Sequence, residues 1–226
     1  MKLLIASDIH GDYKRAEEIH NIWLNGNFDH LILLGDLLYH GPRNDLPPFY
    51  NPKKVIPILS EMKDSIIAVR GNCDAEVDQM VLPFPILEDR REMEADGKKI
   101  LLVHGHHEID TTGFSVVMSG HTHIPVLEER EGVVFLNPGS TTIPKGGSMP
   151  SYAVWDSGKI SIISLDNGDV VKEWECHIYA DYAVFFLDGY FPSMEFHDLV
   201  DDGESQSAST LGSGCIASCP RLEELW

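Results

Sequence analysis

Five short aliphatic runs, at residues 2–7, 30–34, 65–69, 99–103 and 115–118, each end one or two residues before a Gly, Asp, Asn or His. Runs this short, with many β-branched residues, read as buried strands rather than helix segments. Two crossover helices fit between the first three. Asp12 is a good N-cap, followed by Ala16, Ile19, Ile22 and Trp23 at helical spacing up to Gly26. Residues 52–62 open with Pro in the first turn, where its missing N–H does no harm. Strand, helix, strand, helix, strand predicts parallel pairing with right-handed crossovers.

Beyond Pro83 the pattern changes to hairpins. Residues 90–95 are followed by Asp96-Gly97 and another strand, residues 126–129 and 133–136 flank Arg130-Glu131-Gly132, and residues 152–155 and 160–165 flank Ser157-Gly158. An α/β opening half and a mostly β closing half are both satisfied by two mixed sheets packed face to face with helices outside. From His177 onward the pattern dissolves. Residues 182–187 read as one more strand, but 198–218 are acidic and rich in Gly and Ser, the composition of a segment without a core. The expected organisation is a domain over 1–176 and an acidic, partly disordered extension over 177–226.

The strand ends carry the chemistry. They read Asp8-Ile9-His10, Gly35-Asp36, Gly71-Asn72-Cys73-Asp74, His104-Gly105 and Gly120-His121-Thr122-His123. In open α/β sheets, ligands bind beyond the carboxyl ends of strands. Asp8 and His10, one residue apart, project to one side of an extended backbone, and His121 and His123 repeat the spacing. A carboxylate such as Asp36 can bridge two ions, and the Asn72 amide ligates without adding charge. Neutral imidazoles suit Mn, Fe or Zn better than Mg or Ca. Seven ligands, with no cysteine among them, exceed the needs of a structural tetrahedral zinc.

The charge balance agrees. A net charge of −19 repels phosphate backbones and anionic lipid, which argues against a nucleic-acid polymer or a membrane as partner. Small anionic substrates then need local cations, and 36 Asp plus Glu with 11 His can bind them. Eight of the nineteen excess negative charges fall in 177–226, so the body is less acidic than the whole. The apolar run at the N-terminus is too short for a secretory signal, no stretch approaches the ~20 apolar residues of a membrane span, and four cysteines imply no disulfide framework. A cytoplasmic location is expected, and a homo-oligomer stays open.

Taken in order, the blocks Asp8-x-His10, Gly35-Asp36, Gly71-Asn72-x-Asp74, His104-Gly105 and Gly120-His121-x-His123 resemble the signature of the calcineurin-like metallophosphoesterases. The surrounding His40-Gly41-Pro42-Arg43-Asn44, Val69-Arg70-Gly71-Asn72-Cys73-Asp74 and Asn137-Pro138-Gly139-Ser140 resemble the small single-domain bacterial phosphodiesterases of that superfamily, over roughly residues 1–176. The resemblance implies an α/β (α+β) fold, a four-layer αββα sandwich of two mixed sheets flanked by helices. It also implies two divalent transition-metal ions, Mn first, with Fe, Zn or Ni as alternatives. Asp8, His10, Asp36 and His123 would hold one ion; Asp36, Asn72, His104 and His121 the other. A hydroxide between the ions would attack the phosphorus of a small-molecule phosphodiester in line.

Two departures qualify it. Many members place histidine after the metal-binding asparagine, where it protonates the leaving oxygen. This chain has Cys73, a poor acid, which shifts the expectation toward diesters with acidic leaving groups. The segment from Gly105 to Ser119 is also short for such relatives. Asp74 reads as a support that accepts a hydrogen bond from a ligand. His106 and His107 read as exposed loop histidines, His20 and His30 as structural, His40 as phosphate contact or structure, and Cys215 and Cys219 as part of a solvated tail. Competing readings are a phosphomonoesterase or cyclic-nucleotide phosphodiesterase on the same site, or a scaffold module of the same fold without activity.

Overall fold

Leu3, Leu4 and Ile5 are consecutive and fully buried, which requires a strand covered on both faces. A computed structural model describes residues 1–175 and places that strand, β1 (Lys2–Ala6), in the middle of a six-stranded sheet. The sheet also holds β2 (His30–Leu33), β3 (Ile66–Ala68), β9 (Ser151–Asp156), β10 (Lys159–Ser164) and β11 (Val170–Glu175), in the order β11-β10-β9-β1-β2-β3. β1, β2 and β3 run parallel, and β9 returns antiparallel beside β1. A second sheet has the order β4-β5-β6-β8-β7, with β4 (Arg90–Ala95), β5 (Lys98–Val103), β6 (Val116–Met118), β7 (Val126–Arg130) and β8 (Val133–Asn137). It too is mixed: β5, β6 and β8 are parallel, and hairpins attach β4 and β7.

Alternation along the strands builds the layers. Leu3, Ile5, Ile32 and Leu34 face Ile100, Leu102, Val116, Met118, Val134 and Leu136 of the second sheet, with Trp155 fully buried between. The other faces of β1 and β2, through Leu4, Ala6, Leu31 and Leu33, receive Ala16 and Ile19 of α1 (Tyr13–Gly26) and Val55 and Leu59 of α2 (Pro52–Ser60). Asp12 caps α1 by accepting from Lys14 N at 3.0 Å and Arg15 N at 3.1 Å.

The outermost layer differs from side to side. Among the described residues, long helices cover only the first sheet. The outward residues Leu101, Val117, Val133 and Phe135 of the second sheet pack instead on Ile109 and Phe114, from the short loop after His104. The chain between β5 and β6 has no room for a helix, so a loop forms the fourth layer. β11, not anticipated from sequence, pairs with β10 but is largely exposed. No described helix is long and apolar enough to cross a membrane. The acidic extension 177–226, its strand expected at 182–187, and Cys215 and Cys219 lie outside the described residues.

Candidate metal centre

The carboxyl ends of β1, β2, β3, β5 and β6 open onto one place. Asp8, His10, Asp36, His104 and His123 are all buried there. His10 Nε2 lies 3.6 Å from Asp8 Oδ1 and 3.7 Å from Asp36 Oδ2. His123 Nε2 lies 3.2 Å from Asp8 Oδ1, and His104 Nε2 lies 3.5 Å from Asp36 Oδ2 and 3.1 Å from Asn72 Oδ1. His121 stands at the rim, half-buried, its ring centroid 5.1 Å from that of His104. The two halves of Gly120-His121-Thr122-His123 therefore point to different partners, His123 toward Asp8 and His10, His121 toward His104.

Extended backbone does not produce this convergence, contrary to the expectation for Asp8 and His10. Asp8 (φ 55°), His10 (φ 49°), Asp36 (φ 56°), His121 (φ 65°) and His123 (φ 60°) are all left-handed. Ile9, between the first pair, is fully buried, so the chain coils locally to send both neighbours one way. Left-handed backbone is unfavourable for residues with a Cβ and persists where the surroundings enforce it, often at functional sites. Glycine is needed where backbone and ligand crowd. A Cβ at Gly71 would overlap Asp36 Oδ1 and the Asp36 amide, and one at Gly120 would overlap Ser7 Oγ.

The hydrogen bonds leave a particular set of atoms bare. Nδ1 of His10 donates to Tyr39 O at 2.8 Å, that of His104 to Leu34 O at 2.6 Å, and that of His123 to Ile143 O at 2.6 Å. A carbonyl only accepts, so in each neutral ring the Nε2 lone pair faces inward. Asp8 Oδ2 accepts from Ser7 Oγ at 2.6 Å and His121 N at 3.0 Å, while Oδ1 is buried without a partner. Asp36 Oδ1 accepts from Cys73 N at 2.8 Å, and Oδ2 points at the imidazoles. His10 and His123 bring Nε2 to within 3.3 Å of Nε2. Two lone pairs and an orphaned carboxylate oxygen at such range fit a cation among them.

In the metal-free protein the acidic and imidazole groups compensate one another. Burial pushes Asp8 up, yet the His10 and His123 rings outweigh it and hold its carboxyl far below the usual range. Burial opposes protonation of His104, but Asp36 and then Asp8 overcome it and raise the ring to about 9. Burial raises Asp74 to about 6 even though it accepts from Asp36 N, Leu37 N and Gly71 N. Asp74 thus clamps the β2 end to the β3 end by accepting from backbone amides, the Asp36 amide among them. Burial, then the neighbouring Asp36 carboxylate, push the Cys73 thiol up to about 12.

A cleft of about 950 Å³ opens over these residues, lined also by Arg43, Arg70 and Lys145. Lys145 was not singled out from sequence. Its backbone N–H donates to His123 O at 3.1 Å, and the signal available was a lone cation in Pro144-Lys145-Gly146, close after Asn137-Pro138-Gly139-Ser140. His106 is not an exposed loop residue as expected: it is half-buried, its ring 5.4 Å from His104 and 6.1 Å from His121. His107 is exposed. His40 packs edge-on between Tyr39 and Tyr50, outside the cleft wall.

Comparison with known proteins follows this geometry. Residues 1–159 match the family model described as the calcineurin-like phosphoesterase superfamily domain. The chain is 41% identical over 178 residues to the phosphodiesterase YfcE of Escherichia coli K12, covering 76% of this chain and 97% of that one. The solved structure of the E. coli phosphoesterase superimposes with a TM-score of 0.73 at 40% identity, over 77% of this chain and 98% of that one. The phosphodiesterase MJ0936 of Methanocaldococcus jannaschii is 28% identical over 171 residues, 70% of this chain and 95% of that one.

Proposed function

This chain belongs to the calcineurin-like phosphoesterase superfamily and is a metal-dependent phosphodiesterase, and on that footing we propose how its residues do the work. Asp8, His10, Asp36 and His123 would hold one divalent ion, and Asp36, Asn72, His104 and His121 would hold the other. The observation carrying this assignment is the set of inward-facing atoms that converge on one another: the Nε2 atoms of three histidines whose Nδ1 is occupied, the unpartnered Asp8 Oδ1, and Asp36 Oδ2. When bound, two divalent ions polarise a phosphoryl group and lower the pKa of water. Imidazole, carboxylate and amide donors together suit divalent transition metals, and Mn is the ion proposed, with Fe, Zn or Ni as alternatives.

The protein's own groups do the rest. Arg43, Arg70 and Lys145 line the cleft and draw a small anionic diester into a chain whose overall field would repel it. The Tyr39, Leu34 and Ile143 carbonyls hold the imidazoles in the tautomer that presents Nε2. Asn72 donates through Nδ2 to Cys73 Sγ at 3.2 Å, which leaves Oδ1 turned toward His104. The Cys73 thiol is a weaker proton donor than an imidazolium, so the reaction favours esters whose leaving group departs as a stable anion. Small diesters in the cytoplasm are the proposed substrates.

Metal analysis of the purified protein, with turnover of bis(p-nitrophenyl) phosphate, tests the proposal. About two ions per chain and turnover abolished by chelator are expected. Full turnover in metal-free protein, or preference for monoesters over diesters, would overturn it.

A further inference from the structure

Beside the polar cleft runs a second groove of about 360 Å³, in the lower part of the ~300–1,000 Å³ range of small-molecule sites. Tyr39, Cys73 and Ala75 line both cavities, so the two meet along one wall. The cleft wall is charged and polar; the groove is walled mainly by Tyr50, Ile56, Val77 and Val81. Val77 and Val81 are 64% and 47% exposed, and Tyr39 is 41% exposed, so a continuous apolar and aromatic strip faces solvent next to the reaction site. Cys73 Sγ lies within 4.8 Å of ligand atoms of His10 and Asp36. Cys73 therefore stands between the His10 and Asp36 side chains and the groove.

We propose that this groove binds one organic substituent of the diester, and that the substituent is apolar or aromatic. The inference rests on the phosphodiesterase reading and adds a substrate class to it: diesters bearing at least one hydrophobic group, rather than diesters polar on both arms. Tyr39 forms the partition, its ring available to stack on the substituent, and Val77 and Val81 form the outer wall. A sugar or glycerol arm would find few polar partners on this wall besides Lys53, Asp78 and water, and would gain little from its apolar part.

Binding of methyl phenyl phosphate and of dimethyl phosphate to Mn²⁺-loaded protein, measured by calorimetry, tests the groove. The two carry the same charge and differ by one ring. The phenyl compound is expected to bind about tenfold more tightly. In the double variant V77S/V81S the preference should fall toward one while dimethyl phosphate binds as before, and V77L should keep the preference. Equal affinities in the native protein, or a preference unchanged in V77S/V81S, would overturn the proposal. Turnover of bis(p-nitrophenyl) phosphate, followed in parallel, separates the two claims. Lost turnover with an intact ring preference counts against the phosphodiesterase reading; turnover without ring preference counts against the groove alone.

Discussion

The inter-sheet core and the strand ends just beyond it are made by the same strands under opposite rules. At Leu3, Ile5 and Ile32 the chain is extended, apolar and fully buried. A few residues on, at Asp8, His10 and Asp36, it is equally buried but ionisable, left-handed and crowded with like groups. The core stabilises the fold through area removed from water. The strand ends are held in unfavourable backbone by that core and by the loops around them, so substitutions in the two regions should separate activity from stability.

Asp36→Asn gives the largest expected effect. Turnover should fall on the order of 1,000-fold, beyond the ~10–100-fold typical of groups one step removed from a metal, while cooperative unfolding of the chelated protein persists. Native turnover with two ions bound would break the distinction from the site side. Ile32→Ala is the reverse case. It should lower stability by about 2–5 kcal/mol in urea denaturation, with turnover per folded molecule retained at low temperature. A variant as stable as the native chain would show that the strand layers contribute less than their burial implies.

Much of the core was legible, because a strand buried on both faces appears as a solid aliphatic run and a turn as Asp-Gly or Ser-Gly. β11 was missed because most of its residues are exposed, so Val170 to Glu175 carry no burial pattern. Residue types at the candidate site were readable; their convergence was not explained correctly. The left-handed φ at five non-glycine positions follows from tertiary enforcement, which one-residue spacing does not encode. Lys145 and the half-buried His106 sit where loops fold back, and loop paths are set by distant contacts such as that of Lys145 N with His123 O.

A pH series sharpens the contrast further. His104 is raised from 6.5 to about 9, because its protonated form gains Asp36 and Asp8 despite burial. A raised histidine stabilises the metal-free fold fully below its unfolded value and loses that contribution as pH climbs through the folded one. Chelated protein should therefore lose stability between about pH 6.5 and 9, read from denaturation midpoints, and His104→Gln should flatten that slope. A slope of the opposite sign would refute the pairing. The smallest expected effect is that of Cys73→His. It should raise turnover of diesters with poorer leaving groups by about tenfold, less than the ~100-fold or more of an evolved general acid, and leave activated aryl esters almost unchanged. Equal gains on both would remove the acid from the account.

β1 lies between β2 and β9 in its sheet. Ser140 Oγ donates to Asp8 O at 2.8 Å, and Thr142 Oγ1 donates to Ile9 O at 2.8 Å. The first strand end is thus held partly from more than a hundred positions downstream, besides the nearer Gly35 and Asp36 carbonyls, which accept from Asp8 N at 3.1 Å and His10 N at 2.9 Å. During synthesis Asp8 and His10 are made well before residues 140–142, so this part of their support is missing until those residues follow. A chain interrupted before residue 140 would expose one edge of β1 and lack the Ser140 and Thr142 latches on Asp8 and Ile9.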